Sequence, residues 1–316
     1  MKKMLKAGVL ITVVGIVLLI LSIMGGGVQS VEYVGWTPRI VKKEMTLKKQ
    51  TVSEFENVKV NTDNVGVKII QGNGYHVDYK GRKSLAPKVS VEGKTLVIKQ
   101  KAHLRTGFIF DGVTIKSDRH TSFTNTVTVT VPKDLDQISL TTSGNSDVTL
   151  SDLKLNSLAL DVLDGDLHLT NTQVANSSKV KLLDGDLYLN RVAFNNGTKM
   201  EIFDGDLSLV DTSLNNVQIE NHDGDVSFNH LKVAGGSYKG QDSDVNGTSL
   251  EVTAGYQFNL ADGDVSITGA KADGYETTTT DGDNHLFNQS GSHLTQGANS
   301  GNILKVTTTD GDLNIR

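Results

Sequence analysis

Val180-Lys181-Leu182-Leu183-Asp184-Gly185-Asp186-Leu187-Tyr188-Leu189-Asn190 is the stretch whose reading decides the fold. Before the Asp-Gly-Asp triplet the apolar residues fall on even positions, and after it on odd ones. Alternation with period two marks a half-buried strand. A change of parity therefore puts a corner at the triplet, after which inward-facing aliphatics resume on the correct side. The same switch recurs in Leu158, Leu160, Val162 then Leu167, Leu169; in Met200, Ile202 then Leu207, Leu209; and in Val217, Ile219 then Val226, Phe228.

Asp-Gly-Asp begins at positions 164, 184, 204, 223, 262, 281 and 310, and a degenerate copy, Asp242-Ser243-Asp244, divides the longest interval. A period near twenty is the mark of an array in which each unit stacks on its neighbours. The expected fold is all-β: a single-stranded parallel β-solenoid with coils of about 20 residues. Each coil is expected to have two short strands joined by the triplet and closed by an Asn- or Gly-rich turn near Asn171, Asn190, Asn195, Asn196, Asn215 and Asn216. Residues 141–316 form this array. Residues 51–140 alternate in the same way, as in Val65-Gly66-Val67-Lys68-Ile69 and Val127-Thr128-Val129-Thr130-Val131, but lack the triplet. They read as irregular first coils or a cap, with a separate β-subdomain as the alternative.

Ahead of the strands, Lys2, Lys3 and Lys6 precede an uncharged run from Ala7 to Met24. About 20 apolar residues span a bilayer core as a helix. The expectation is one transmembrane anchor over 7–27, with residues 1–6 cytoplasmic and the rest extracytoplasmic. A cleavable signal peptide competes, but the run is longer than the usual hydrophobic region of about 7 to 15 residues. Residues 28–50, with Trp36, Tyr33 and several Lys, read equally as an interfacial anchor or a solvated linker.

The triplets pose the chemical question. In the structural reading, the first Asp accepts backbone N–H groups in the bend while Gly supplies a dihedral closed to other residues. Stacking also aligns like charges about 5 Å apart, each pair repelling by about 0.8 kcal/mol even in water. Such columns attract cations, and flexible clusters of carboxylate oxygens suit Ca²⁺. The candidate ligands are Asp164, Asp166, Asp184, Asp186, Asp204, Asp206, Asp223 and Asp225. No other cofactor is expected. The chain has no Cys, which excludes disulfides and thiolate metal sites.

Enzyme signatures are missing: no Gly-x-Ser-x-Gly, His-Glu-x-x-His, Walker or dinucleotide motif occurs. Carboxylates repeated in every coil supply copies, whereas acid–base catalysis needs a differentiated pair. Arg191 is the only Arg of the array before Arg316, and His168, His222, His230, His285 and His293 share no register. The chain therefore reads as a non-enzyme. Charge divides unevenly, with a net +10 over residues 1–140 and −15 over 141–316. The basic part suits anionic lipid or wall polymers, while nucleic acid is a poor partner for the acidic part.

Two departures from regularity stand out. The segment Asn288–Ser300 lengthens one interval by about ten residues and is expected to protrude, either as a flexible excursion with no role or as a binding loop. The last coil, through Leu313-Asn314-Ile315, has no evident cap, so its edge is expected to be open.

Phe55-Glu56-Asn57-Val58-Lys59-Val60, the strand Gly93–Ile98, the strand end Val127–Pro132 and the Gly-Asp-Leu/Val-x-Leu repeats resemble the bacterial putative-adhesin β-strand-repeat family, a domain of unknown function that includes LiaG-like envelope proteins. That family usually has Ser-Gly-Asp where this chain has Asp-Gly-Asp. The resemblance implies a surface or envelope protein with a role in adhesion or antibiotic-stress signalling and no established catalytic residues. The expected partners are membrane lipid through the N-terminal helix and anionic cell-wall polymer or envelope proteins. The alternatives are a Ca²⁺-dependent surface module and a polysaccharide-active β-helix enzyme.

Overall fold

The computed structural model describes residues 8, 11–18, 20–21, 31–34, 37–40, 45–100, 108–111, 114–117, 125–132, 134–297 and 299–316. It divides into two units, Met1–Glu44 with His103–Phe123, and Met45–Ala102 with Thr124–Arg316.

In the first unit, four short strands form one antiparallel sheet in the order Thr114–Ser117, Phe108–Asp111, Val31–Val34, Thr37–Ile40. Two of these strands lie within the 28–50 stretch read as a linker. Of the expected anchor over 7–27, residues 8, 11–18 and 20–21 are helical. The rest of it, and the tail 1–6, lie outside the described residues. Among the described residues no helix is long and apolar enough to cross a membrane, because too few of them are consecutive.

The second unit is a 28-stranded sheet. Its repeat can be followed through one coil. Lys179–Asp184 runs into the triplet, turns, and continues as Leu187–Asn190. A second corner at Arg191 leads to the two-residue strand Ala193–Phe194, and a third turn returns the chain to Lys199. Each strand pairs in parallel with its counterpart one repeat away: Leu182 with Val162 and Ile202, Leu187 with Leu167 and Leu207, Phe194 with Val174 and Leu214. The coil thus has three strands, not the two expected. The third is too short for period two to reveal it.

The parity reading places the core correctly. Val180, Leu182, Leu187 and Leu189 are buried, as are Val192 and Phe194 from the third strand. Burying each such aliphatic stabilises by about 1.5–3 kcal/mol relative to exposure, so the core is an additive column of modest contributions. The second corner also recurs. Asp152, Asn171, Arg191, Asp211, His230 and Ser249 all carry positive φ, between 49° and 59°. Asn and Asp tolerate this conformation best, and the side chains assist: Asn171 Nδ2 donates to Asp152 Oδ1 at 2.8 Å, and Arg191 Nε to Asn171 Oδ1 at 2.5 Å.

Both ends depart from simple stacking. Ile303–Asp310 lies between Tyr256–Asp262 and Gly274–Asp281, pairing in parallel with each, and Leu313–Ile315 likewise sits between Val265–Thr268 and Asn284–Leu286. The last coil in sequence is therefore internal, which corrects the expectation of an open edge there. The segment expected to protrude instead folds back. His293–Gln296 pairs antiparallel with Gly274–Asp281, and Gln289–Ser290 with Asn284–Leu286, covering strands that would otherwise be edges. At the other end Thr126–Val131 inserts between Gly66–Gln71 and His76–Arg82, and Met45–Thr51 pairs antiparallel with the latter. Lys88–Glu92 closes the neighbouring face against Thr95–Lys99 through a hairpin with Gly93 at φ 61°.

Candidate functional site

The Asp-Gly-Asp corner is where this chain differs most from a bare β-stack, and its hydrogen bonds can be fully accounted for. The amide of every triplet Gly except Gly282, in the spatially last coil, donates to the carbonyl of the first Asp one coil on, as Gly185 to Asp204 at 3.0 Å. The amide of the residue after the triplet donates to the second Asp one coil on, as Leu187 to the Asp206 carbonyl at 2.9 Å. Between them the amide of the second Asp falls out of the backbone ladder. It donates instead to the carboxylate of the second Asp one coil back.

That substitution repeats without a break. Asp166 N–H reaches Asp147 Oδ1, and the chain continues through Asp186, Asp206, Asp225, Asp244, Asp264, Asp312 and Asp283, with distances of 2.7–3.1 Å. The order Asp264, Asp312, Asp283 follows the spatial order of the coils, not the sequence. The expectation that the first Asp accepts the amide is thereby corrected: the second Asp does so, across coils instead of within the bend. These bonds lie at exposed or half-buried corners, so the carboxylate column takes the place of water as acceptor and continues the ladder of the sheet.

Glycine is required on two grounds. The triplet glycines have φ between 123° and 145°, where other residues are strained. A Cβ on Gly205 would also strike the Gly185 carbonyl, the next glycine in the column. The degenerate triplet avoids both demands. Ser243 does not have positive φ, and its side chain turns inward, with Oγ 2.6 Å from the Tyr238 hydroxyl.

Of the eight Ca²⁺ candidates, Asp166, Asp186, Asp206 and Asp225 belong to this ladder, each with Oδ1 engaged by an amide. Asp164, Asp184, Asp204 and Asp223 form the neighbouring column, in which Asp184 pairs in register with Asp204. Among the described residues no group of three or more His, Asp or Glu side chains converges as a metal site.

The columns are not chemically uniform. Tyr188 Oη donates to Asp186 Oδ2 at 2.7 Å, and its ring stacks on His168 at 4.6 Å. That hydrogen bond, helped by loss of solvent and by the charges of Asp186, Asp166 and Asp206, pushes the phenol up to about 12. Across the corner Phe203 stacks on His222 at 4.7 Å, with Lys181 Nζ 5.4 Å from its centroid. On the same face Lys199 bonds Glu201 at 2.9 Å and lies 3.4 Å from Glu220, which lowers the Glu201 carboxyl and raises the Lys199 ammonium. His230 occupies a left-handed corner, while His285 and His293 bond Ser290 and Thr278 in the end cap. The five His are thus dispersed. The aromatic neighbours of the triplets were not singled out from the sequence, although their position, one residue before the first Asp or two after the second, marks them as outward-facing.

A family model described as Toastrack DUF4097 matches residues 55–239 and 211–316. Among solved structures, the chain is similar to a putative adhesin from Bacteroides fragilis NCTC 9343, at 13% identity and TM-score 0.40, covering 87% of this chain and 98% of that one. It is also similar to a putative adhesin from Parabacteroides merdae ATCC 43184, at 15% identity and TM-score 0.36, covering 86% and 96%. A putative lipid binding protein from Parabacteroides distasonis ATCC 8503 follows at 13% identity and TM-score 0.32, covering 86% and 96%. No curated protein matches the sequence. With the family model spanning residues 55–316 and an all-β sheet of parallel repeats beneath it, the chain belongs to the Toastrack DUF4097 family.

Proposed function

We propose that this is a membrane-anchored surface protein of the bacterial envelope, whose array is a single-stranded β-solenoid held outside the cell as an adhesin-like binding scaffold and not as an enzyme. The observation that carries the reading is the uncharged run Ala7–Met24 behind Lys2, Lys3 and Lys6. Where it is described it is helical, and Ile11, Val13, Val14, Ile16, Val17, Leu18, Ile20 and Leu21 are all exposed, so that apolar side chains cover more than half of its circumference and the uncharged Gly8, Thr12 and Gly15 the rest. A helix with no charged face and this much exposed apolar surface is suited to lipid and ill suited to water. The basic flank sets the array on the far side of the membrane.

A scaffold role follows from the regularity of the array. Its carboxylates repeat in equivalent surroundings and satisfy the backbone, which suits a stable surface better than a single reacting centre. Partners of this reading are membrane lipid for the helix, anionic wall polymers for the basic residues 1–140, and envelope proteins for the array. Nucleic acid is disfavoured by the net −15 of residues 141–316. The test is protease accessibility of the full chain expressed in a bacterium. The array should sediment with membranes and be cut by protease added outside intact cells. Recovery in the soluble cytoplasm, protected until lysis, would overturn the reading.

A further inference from the structure

A repeat supplies its own baseline, and one outward column breaks from it. The residue before the triplet is Leu163, Leu183 and Phe203 in three adjacent coils, but His222, Gln241, Ala261 and Thr280 further along. Leu163 and Leu183 are 37% and 42% exposed. They are two of the three exposed large apolar side chains among the described residues beyond the N-terminal helix. Strand pairing sets the three side chains side by side, about 4.8 Å apart. Nothing in the corner requires them, since the coils of His222 and Thr280 turn through a positive-φ glycine in the same way with polar residues there. Two adjacent exposed leucines, continued by the half-buried Phe203 ring on which His222 stacks, form an apolar strip that marks an interaction surface.

We propose that this strip docks a short basic amphipathic peptide segment of a partner protein. Charge selects the occupant. The strip runs directly beside Asp164, Asp184 and Asp204, of which Asp184 and Asp204 are exposed. Of the nearby ammonium groups, Lys179 and Lys199 are committed to Glu201 and Glu220, while Lys181 lies over the Phe203 ring. Anionic lipid or wall polymer is repelled by this edge, and a simple cation leaves the leucines uncovered. A segment with both Lys or Arg and apolar side chains covers both, burial supplying affinity and the carboxylates supplying selection. Lys181 over Phe203 shows that the strip's aromatic ring already accepts a cation. The proposal rests on reading the array as a binding scaffold and names one partner class for it.

The experiment uses the full chain in zwitterionic nanodiscs and fluorescence anisotropy of a labelled synthetic peptide of alternating Lys and Leu, with empty nanodiscs as blank. Saturable binding is expected, weakened at least about tenfold in a Leu183→Gln, Phe203→Gln double variant that keeps its melting temperature. Should that variant melt early, Leu163→Gln and Leu183→Gln singly carry the test, because Gln241 already occupies this column. Oligolysine of equal charge and a Glu/Leu peptide are expected to bind far more weakly. Equal binding by oligolysine, equal affinity in the variants, or no binding at all would overturn the proposal. So would loss of self-association in the variant, which would make the strip a contact between copies. Binding to reconstituted protein is independent of cellular topology, so failure here leaves the accessibility result standing, and the reverse.

Discussion

The hydroxyl of Tyr188 lies 2.7 Å from Asp186 Oδ2, on the one ladder carboxylate whose second oxygen also holds a side-chain donor. Because the phenol of the folded protein is raised from 10.0 to about 12, the hydrogen bond stabilises the fold fully below pH 10 and its contribution is lost as pH rises from 10 to about 12. Difference absorbance between wild type and Tyr188→Phe should show the phenol titrating near 12, and Asp186→Asn should draw it back toward 10. A Tyr188 titration already near 10 in wild type would contradict the assignment.

Gly205→Ala tests the corner itself. Its φ of 145° and the neighbouring Gly185 carbonyl leave no room for a Cβ. A loss of about 1–3 kcal/mol in urea unfolding is expected, the range for enforced backbone strain. A neutral substitution would mean that the glycine column is dispensable.

The degenerate triplet makes the opposite demand. Ser243→Ala removes one of the two side-chain partners of a buried Tyr238 hydroxyl, the other being Asn221, and should cost about 0.5–1.5 kcal/mol, whereas Ser243→Gly should restore the triplet sequence and still destabilise. If Ser243→Gly were stabilising, the inward serine would have no structural role.

The insertion of Ile303–Asp310 between two earlier strands predicts how the array fails. Deleting residues 303–315 should expose both Tyr256–Asp262 and Gly274–Asp281, so that hydrogen exchange accelerates in each. A stack in sequence order would lose protection only in the strand next to the deletion. Retained protection over 256–262, with loss over 274–281 alone, would therefore argue against the observed order.

Much of this was legible in the sequence, and the limits have physical causes. Parity around the triplets fixed which aliphatics point inward, and Leu158, Leu160, Leu167, Leu169, Met200, Ile202, Val217 and Ile219 are all buried. Period two could not reveal Ala193–Phe194, because two residues have no period. Nor could it order the final coils, since Leu304 and Val306 present the same inward pattern to either neighbour. The sheet joining Val31–Val34 to Phe108–Asp111 depends on pairing across more than 70 residues, for which local patterning carries no signal. At the site, the recurring carboxylates were evident. Which of the two accepts the amide was not, because both sit on a tight turn and only the stacking geometry separates them.

The central claim is that the second carboxylate of each triplet closes a gap in the backbone ladder. Asp206 offers the cleanest test, as its Oδ1 accepts the Asp225 amide at 2.9 Å. Unfolding of Asp206→Asn and Asp206→Ala should be compared in Ca²⁺ and in chelator. Asparagine keeps an acceptor and removes a repelled charge, so it should stay within about 0.5 kcal/mol of wild type, while alanine should lose about 1–2 kcal/mol, equally in both buffers. If asparagine destabilises as much as alanine, and wild type melts higher in Ca²⁺, the column is a cation site and the account is wrong.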